Sequence, residues 1–381
     1  MSWAKDDCQL ISVEDGVGWD KKPRGFYNSR LWAVRGDPRE AVFHDVPGYP
    51  DLSYASSSRQ NQPNYYSFGT LALDGRIYQF LSTLNRAELR HWIGTKLIYS
   101  PDNGRTWCNQ NGSSPVVWES WVDQSRENMV FFEEPQETFS LLSILQMGRN
   151  YEANQDGYVY VYAPNGNTDG TMNELVMFRV PKAQILDRGA YEYFAGQRPD
   201  EGAKWVKDIN ARAVVHTFPR RWVNTASGPE ANLVVEAWLP SVVYNAAVGL
   251  YLMANCGIGC ALDGSAFGKP SYLGFWVAPD PWGPWTQIHE ESAWTPANDP
   301  AARAYDLQVA PKWIGADGKS FWLVWADIQG LQEFARASEQ MAKESKPTDS
   351  EEERSKAELR LYRRYLPRYA FNTQRFDLIL A

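Results

Sequence analysis

Five short strands of one pattern, a turn residue followed by alternating bulky side chains, recur along the chain and limit what it can fold into. They are Gln9-Leu-Ile-Ser-Val13, Gly75-Arg-Ile-Tyr-Gln-Phe80, Gly157-Tyr-Val-Tyr-Val-Tyr162, Gly249-Leu-Tyr-Leu-Met253 and Ser320-Phe-Trp-Leu-Val-Trp325. After a loop of variable length a second strand follows and ends in a tight polar or Pro-rich turn. Leu97-Ile-Tyr-Ser100 leads into Asp102-Asn-Gly-Arg105, Leu175 to Val180 into Pro181, and Leu273 to Ala278 into Pro279-Asp-Pro-Trp-Gly-Pro284. Strand, loop, strand, turn is the order of an antiparallel meander. Sharing 381 residues among five units leaves about 76 each, against roughly 40 to 50 for a minimal four-stranded blade. The expectation is an all-β, five-bladed β-propeller with long inter-strand loops, one domain over residues 1–381.

Helical pattern is concentrated late, between Leu331 and Tyr365, in two charged runs separated by Pro347, with Thr348 and Glu351 at capping-box spacing. Residues 331–365 are therefore expected to form a charged helical insertion in the last blade, its polar face solvated. The chain closes on an apolar strand, Phe376-Asp-Leu-Ile-Leu-Ala381.

Composition narrows the partners. With 38 Lys+Arg against 46 Asp+Glu the net charge is −8, so nothing draws the chain to nucleic acid or to an anionic membrane. Apolar runs such as Leu250 to Ala254 fall far short of the roughly 20 residues that span a bilayer. The excess is aromatic, 17 Trp, 20 Tyr and 16 Phe, many beside Gly, Asn, Asp and Pro. Such rings fill sheet cores and also stack on sugar faces, so a carbohydrate is the favoured partner.

Four Cys do not specify a disulfide framework at this length. Cys256 and Cys260 share a Gly-containing loop and can form a local disulfide; without a second pair at ligand spacing, zinc is disfavoured. His44, His91, His216 and His289 are dispersed. Asn165 to Gly170 offers oxygen ligands for a structural calcium ion, with a plain Asx-rich turn preferred. No cofactor is expected, and the first residues carry neither the basic nor the apolar region of a secretory signal.

Ser100-Pro-Asp-Asn-Gly-Arg-Thr-Trp107 matches the Asp-box pattern of sialidase-like propellers. In it Asp102 and Ser100 cap a hairpin turn and Trp107 packs between strands. Cleaving a glycosidic bond requires two carboxylates across a cleft. The stretch from Trp3 to Trp19 holds Asp6, Asp7, Glu14 and Asp15 around one short strand, and further acids are Glu133, Glu134, Glu230, Glu236 and Asp327.

Several segments together resemble a family of secreted bacterial five-bladed propellers, long labelled a domain of unknown function, that includes endo-D-arabinanases. The resemblance covers nearly the whole chain. It is carried by Trp3-Ala-Lys-Asp-Asp7 with Glu14-Asp-Gly16, Asp156 to Tyr162, Arg179-Val-Pro-Lys182, Ile185 to Gly196, Trp205, Pro240 to Asn245 with Gly249 to Leu252, and Trp282-Gly-Pro-Trp285. It implies an endo-acting glycoside hydrolase, outside the cell, with Asp15 as one catalytic carboxylate and Asp7 and Asp6 as candidates for its partner. Trp19, Arg30, Trp238, Ser241, Asn245 and Trp276 are the candidate sugar contacts. Two departures stand out: members carry a Gly-Asp segment ending in Trp-Pro upstream of the point where this sequence begins, and Glu14 replaces the Gly that usually precedes the Asp.

The favoured function is hydrolysis of a polysaccharide or glycan, an arabinan-type furanoside polymer in particular, by a monomer. The alternatives are a carbohydrate-binding propeller without turnover, or a polysaccharide lyase drawing on Lys5, Tyr27, Arg30 and His44.

Overall fold

The computed structural model describes residues 1–19, 26–53, 62–85, 91–166, 172–198, 202–220, 222–223, 234–259, 271–344 and 350–379. Five antiparallel sheets follow one another in chain order as the blades of a β-propeller. From the axis outward, blade one runs Ser2–Trp3, Gln9–Val13, Tyr27–Arg35 and Val42–Asp45, and blade two Tyr66–Leu73, Arg76–Asn85 and His91–Ser100. Blade three runs Ser143–Ile144, Tyr158–Pro164, Glu174–Pro181, Glu192–Arg198 and Gly202–Val206. Blade four is Ser241–Asn245, Leu250–Asn255, Ser271–Ala278 and Thr286–Trp294; blade five is Ala304–Val309, Ser320–Asp327 and Asn372–Asp377.

The five repeated strands of the sequence are the second strand of each blade. Neighbours flank that strand on both edges and sheets pack against its faces, so most of its side chains are bulky, as Tyr160, Tyr162, Leu252 and Leu323 illustrate. Blades two to four share one core that includes Phe80, Phe131, Phe139, Tyr162 and Phe178. Blades one and two meet over Leu31, Tyr65, Ile98 and Trp107, and blades four and five over Val243, Phe275, Trp294 and Trp325. The ring closes from blade five to blade one by packing of Trp313, Ala310 and Val324 on Val34. Two hydrogen bonds add to that closure, Lys312 N–H to Gln9 Oε1 (3.0 Å) and Trp313 Nε1 to the Gly36 carbonyl (3.2 Å).

Along the axis the innermost strands present a polar face: Thr70, Gln146, Ser241 and Gln308, with Phe68, line a channel of about 10 Å³, room for about one water. Gln146 ties three blades together. Its Nε2 donates to the Thr70 carbonyl (3.1 Å), its N–H to Val242 O (2.9 Å), and its carbonyl accepts from Tyr244 N–H (2.8 Å).

In the 100–107 turn, Gly104 N–H donates to Ser100 Oγ (2.7 Å), and the Thr106 N–H and hydroxyl donate to Asp102 (2.8 Å each). Trp107 is buried edge-on against Tyr49.

Two helices, α1 (Leu331–Glu344) and α2 (Glu351–Tyr365), stand between the last two strands of blade five. The capping box forms two residues later than the sequence suggests. Ser350 and Glu353 exchange side-chain and backbone hydrogen bonds, because the cap must directly precede the first helical residue, here Glu351; Thr348 lies outside the described residues.

Candidate functional site

The innermost strands of blades two to five run in the same direction, so their starts gather at one face of the ring. Gln9–Val13 runs antiparallel to the innermost strand of blade one, and its end therefore delivers Glu14 and Asp15 to that same face. Blade five supplies Asp306, beside its second residue Tyr305, and blade four supplies Glu236 and Trp238 just ahead of its first strand.

Backbone geometry aims the two aspartates. Asp15 has φ 53° and Asp306 φ 55°, both in the left-handed region that Asp tolerates better than most side chains. Around Asp306 the pairing with Ser320–Asp327 slips between Tyr305 and Gln308, a bulge of the kind that re-aims a side chain beside a site. Leu239, next to Trp238, is also left-handed at φ 38°. Strain gathered at one mouth suits a functional site.

The carboxylates feel one another. Burial pushes Glu14 well above the ordinary carboxylate range, and repulsion from Asp306 and Asp15 adds to it, although the Ser67 N–H opposes the shift. Burial pushes Asp306 up to about 6, against the pull of the Met1 amine and the Trp238 indole N–H beside it. Glu14 and Asp306 therefore hold a proton more tightly than ordinary carboxyls do.

Aromatic rings wall the cluster. Phe68, Trp92 and Trp238 meet edge-to-face at 5.5 to 5.9 Å, and Tyr66 leans on Trp92 at 5.1 Å. Tyr305, Tyr362 and Tyr369 complete the wall, their hydroxyls pushed upward by burial and then by the charge of Asp15 or Asp306. Tyr362 belongs to α2 and Tyr369 to the loop after it, so the insertion in the last blade covers this face.

Asp6 and Asp7 do not join Asp15. They occupy the turn before Gln9–Val13, and at about 3.3 Å per residue that five-residue strand holds them on the order of 15 Å away. The two carboxyls of a glycosidase lie within about 9.5 Å. Asp6 is ion-paired with Arg35, while Asp7 accepts from Lys312 Nζ (2.8 Å) and Trp3 Nε1 (2.9 Å).

Of the six expected sugar contacts, Trp238 stands at the mouth and Ser241 on the axial channel, where its hydroxyl accepts from Val309 N–H (2.9 Å). Asn245 lies at the far end of its strand and donates to the Gly318 carbonyl (2.8 Å). Trp276 is fully buried among Phe218, Trp222 and His216, a core ring with no face to offer a sugar. Arg30 is buried between Asp45 (2.7 Å) and Asp51 (2.9 Å) and lies over the Tyr27 ring. Trp19 stacks on Phe43 with centroids 4.1 Å apart. Of the set named for a lyase, Tyr27 and Arg30 touch, while the Lys5 carbonyl accepts from Arg149 near the Asp6–Asp7 turn and His44 is exposed on an outer strand of blade one.

Sequence reasoning passed over Asp306, and counted Glu14 among the acids around the first strand and as a departure from the family without giving it a role. A signal was present: Asp306 and Gln308 are the acid and the amide in Ala304-Tyr-Asp-Leu-Gln-Val309, polar groups in a strand whose other residues are apolar or aromatic, although the bulge at Asp306 breaks strict alternation there.

Among the described residues no group of three or more His, Cys, Asp or Glu is arranged to hold a metal ion. Most of the Asn165–Gly170 turn, and Cys260 and Glu230, lie outside the described residues. Cys256 is a buried free thiol, pushed up to about 12 by burial.

A family model described as a domain of unknown function (DUF4185) matches residues 68–253, a little under half of the chain. No curated protein matches the sequence. Solved structures with a similar course include "Bacteroides ovatus Xyloglucan PUL GH43B" at 13% identity and TM-score 0.40, over 86% of this chain and 49% of that one. A xylan β-1,4-xylosidase from Bacillus halodurans aligns at 10% identity and TM-score 0.42, over 86% and 48% of the two chains. The Bacillus subtilis arabinanase Arb43A aligns at 9% identity and TM-score 0.35, over 84% and 91%. This chain spans about half the length of the first two.

Proposed function

We propose that the chain is a glycoside hydrolase whose active site is the mouth carrying Glu14, Asp15 and Asp306. The observation that carries the reading is the convergence of three carboxylates, two of them pushed upward, from blades one and five onto one aromatic-walled face. A pair of acids whose environments separate their protonation is what acid/base cleavage of a glycoside needs. Asp306 donates its proton to the glycosidic oxygen as the bond to the anomeric carbon breaks. Asp15 supplies the electron pair that replaces it, directly or through a water whose proton it accepts. Glu14, pushed upward by burial and then by the charge of Asp306 and Asp15, stands beside the pair as an acid that resists ionising. The arabinan-type polymer and the endo mode come from the family resemblance.

Burial of Asp15 Oδ1 and Asp306 Oδ1 favours a second reading, sugar binding without turnover. Reducing-end release from a panel of plant and bacterial polysaccharides, D-arabinan included, separates the two. Under the hydrolase reading Asp15→Asn lowers release about 10²- to 10⁴-fold and leaves binding largely intact. Binding to one polymer with no release from any establishes the lectin-like reading instead.

A further inference from the structure

The insertion in the last blade reaches back to the acid turn through two tyrosines. Tyr362, near the end of α2, is buried edge-on against Phe26 at 5.1 Å and Phe334 of α1 at 6.2 Å. Its hydroxyl donates to the Tyr369 carbonyl (3.2 Å), and the Tyr369 hydroxyl donates to the carbonyl of Glu14 (3.1 Å). The Tyr362 hydroxyl also lies beside the turn itself: a Cβ built on Gly16, the residue after Asp15, would stand in ordinary contact with it at 3.5 Å. The insertion is itself anchored, since Arg368 pairs with Asp299, and Phe371 packs on Trp19 and Phe43.

From this relay we infer that Tyr369 and Tyr362 are positioning residues for Asp15: they fix the Glu14–Asp15 turn from the helical insertion, which makes the insertion part of the active-site machinery. The carbonyl that Tyr369 holds belongs to the peptide unit leading into Asp15. That residue's φ of 53° lies in a narrow well, so small rotations of the peptide swing the carboxylate by a large arc. A tyrosine clamp at that one carbonyl sets the carboxylate direction in the way outer partners orient first-contact groups at other sites. The inference rests on the hydrolase reading for its consequence in turnover and on geometry alone for its consequence in structure.

Tyr369→Phe removes one oxygen and keeps the ring, and Tyr362→Phe breaks the same relay one step back. Two measurements on the full chain separate this inference from the hydrolase reading. The first needs no activity: carbodiimide with an added amine, mapped by mass spectrometry, reports how fast Asp15 and Asp306 are modified. Released from the clamp, Asp15 reacts several-fold faster in both variants, while Asp306, held in its own bulge, changes little. The second is steady-state cleavage of whichever polymer of the panel above the unmodified chain hydrolyses, where kcat falls about tenfold in Tyr369→Phe with KM nearly unchanged and the acid limb of the pH profile moves.

Faster Asp15 labelling with no cleavage even by the unmodified chain upholds the clamp and sinks the hydrolase reading. Cleavage by the unmodified chain, with both variants matching it in labelling, kcat and pH profile, overturns the clamp. A uniform rise in labelling of Asp15 and Asp306 alike, with a lowered melting temperature, also overturns it, since that is general loosening.

Discussion

Replacing Asp306 with Asn should make the protein more stable at alkaline pH and less active at every pH. Burial raises this carboxyl from its ordinary 3.8 to about 6 in the folded chain, so the folded state binds its proton more tightly than the unfolded state does. Stability from this group is therefore fully present below pH 3.8 and lost as the pH rises through about 6. A shift of about two pH units corresponds to about 3 kcal/mol lost at pH 8. An amide of the same shape has no proton to lose, and neutralising the site also relieves the repulsion on Glu14. Unfolding entropy for a chain of this length is about 0.8 kcal/mol per kelvin, so the expected gain is about 4 °C at pH 8 and close to none at pH 4.

The assay is the melting temperature of both proteins from pH 4 to pH 8, read beside polysaccharide cleavage. If the two melting curves stay parallel across that range, Asp306 is not the strained, proton-holding acid described here, and its role in the mechanism falls with it. A variant that is both more stable and inactive is the signature of a charge kept buried for function at the expense of the fold.

Other substitutions check the assignments around the site. Trp276→Ala empties a core position and should cost about 3 to 5 kcal/mol, read by denaturant melts, with affinity for sugar unchanged in the fraction that stays folded; a loss of affinity at full stability would return Trp276 to the binding surface. Asp7→Asn removes the partner of Lys312 on an exposed turn, worth less than about 1 kcal/mol after solvent screening. The hydrogen bond from Lys312, helped by that from Trp3, keeps Asp7 below its ordinary range against the opposing effect of burial, so whatever stability it lends is present at neutral pH and lost as the pH falls through the acid range. Cleavage by Asp7→Asn should equal that of the unmodified chain, and a large drop would place Asp7 in the chemistry after all. Asp15→Asn and Tyr369→Phe, introduced above, complete the set.

The difference between what could be read from residue order and what could not follows from how a propeller is built. Five second strands repeat because each lies inside the same environment, a sheet flanked on both edges and covered on both faces, and that environment writes bulky alternation into the sequence. The mouth belongs to no one blade. Glu14 and Asp306 are 292 positions apart in the numbering, and only closure of the ring by Trp313 on Val34 brings their blades together. The family resemblance, carried over along the chain, paired Asp15 with Asp6 and Asp7, which look close in sequence and are held apart by one straight strand. Trp276 misled for a related reason: a ring beside Gly274 reads the same whether it faces solvent or fills a core, and here Phe218, Trp222 and His216 close over it. The insertion shows the same limit. Its charged helices read as a solvated appendage, and that holds for the outward face of α2. The tyrosines that matter, Tyr362 and Tyr369, lie on the inward side and just past its end, where they touch the first blade of a ring whose last blade they interrupt. A site assembled by closure has to be sought where chain-distant blades meet, and the acid inside the last inner strand is where the sequence carried its trace.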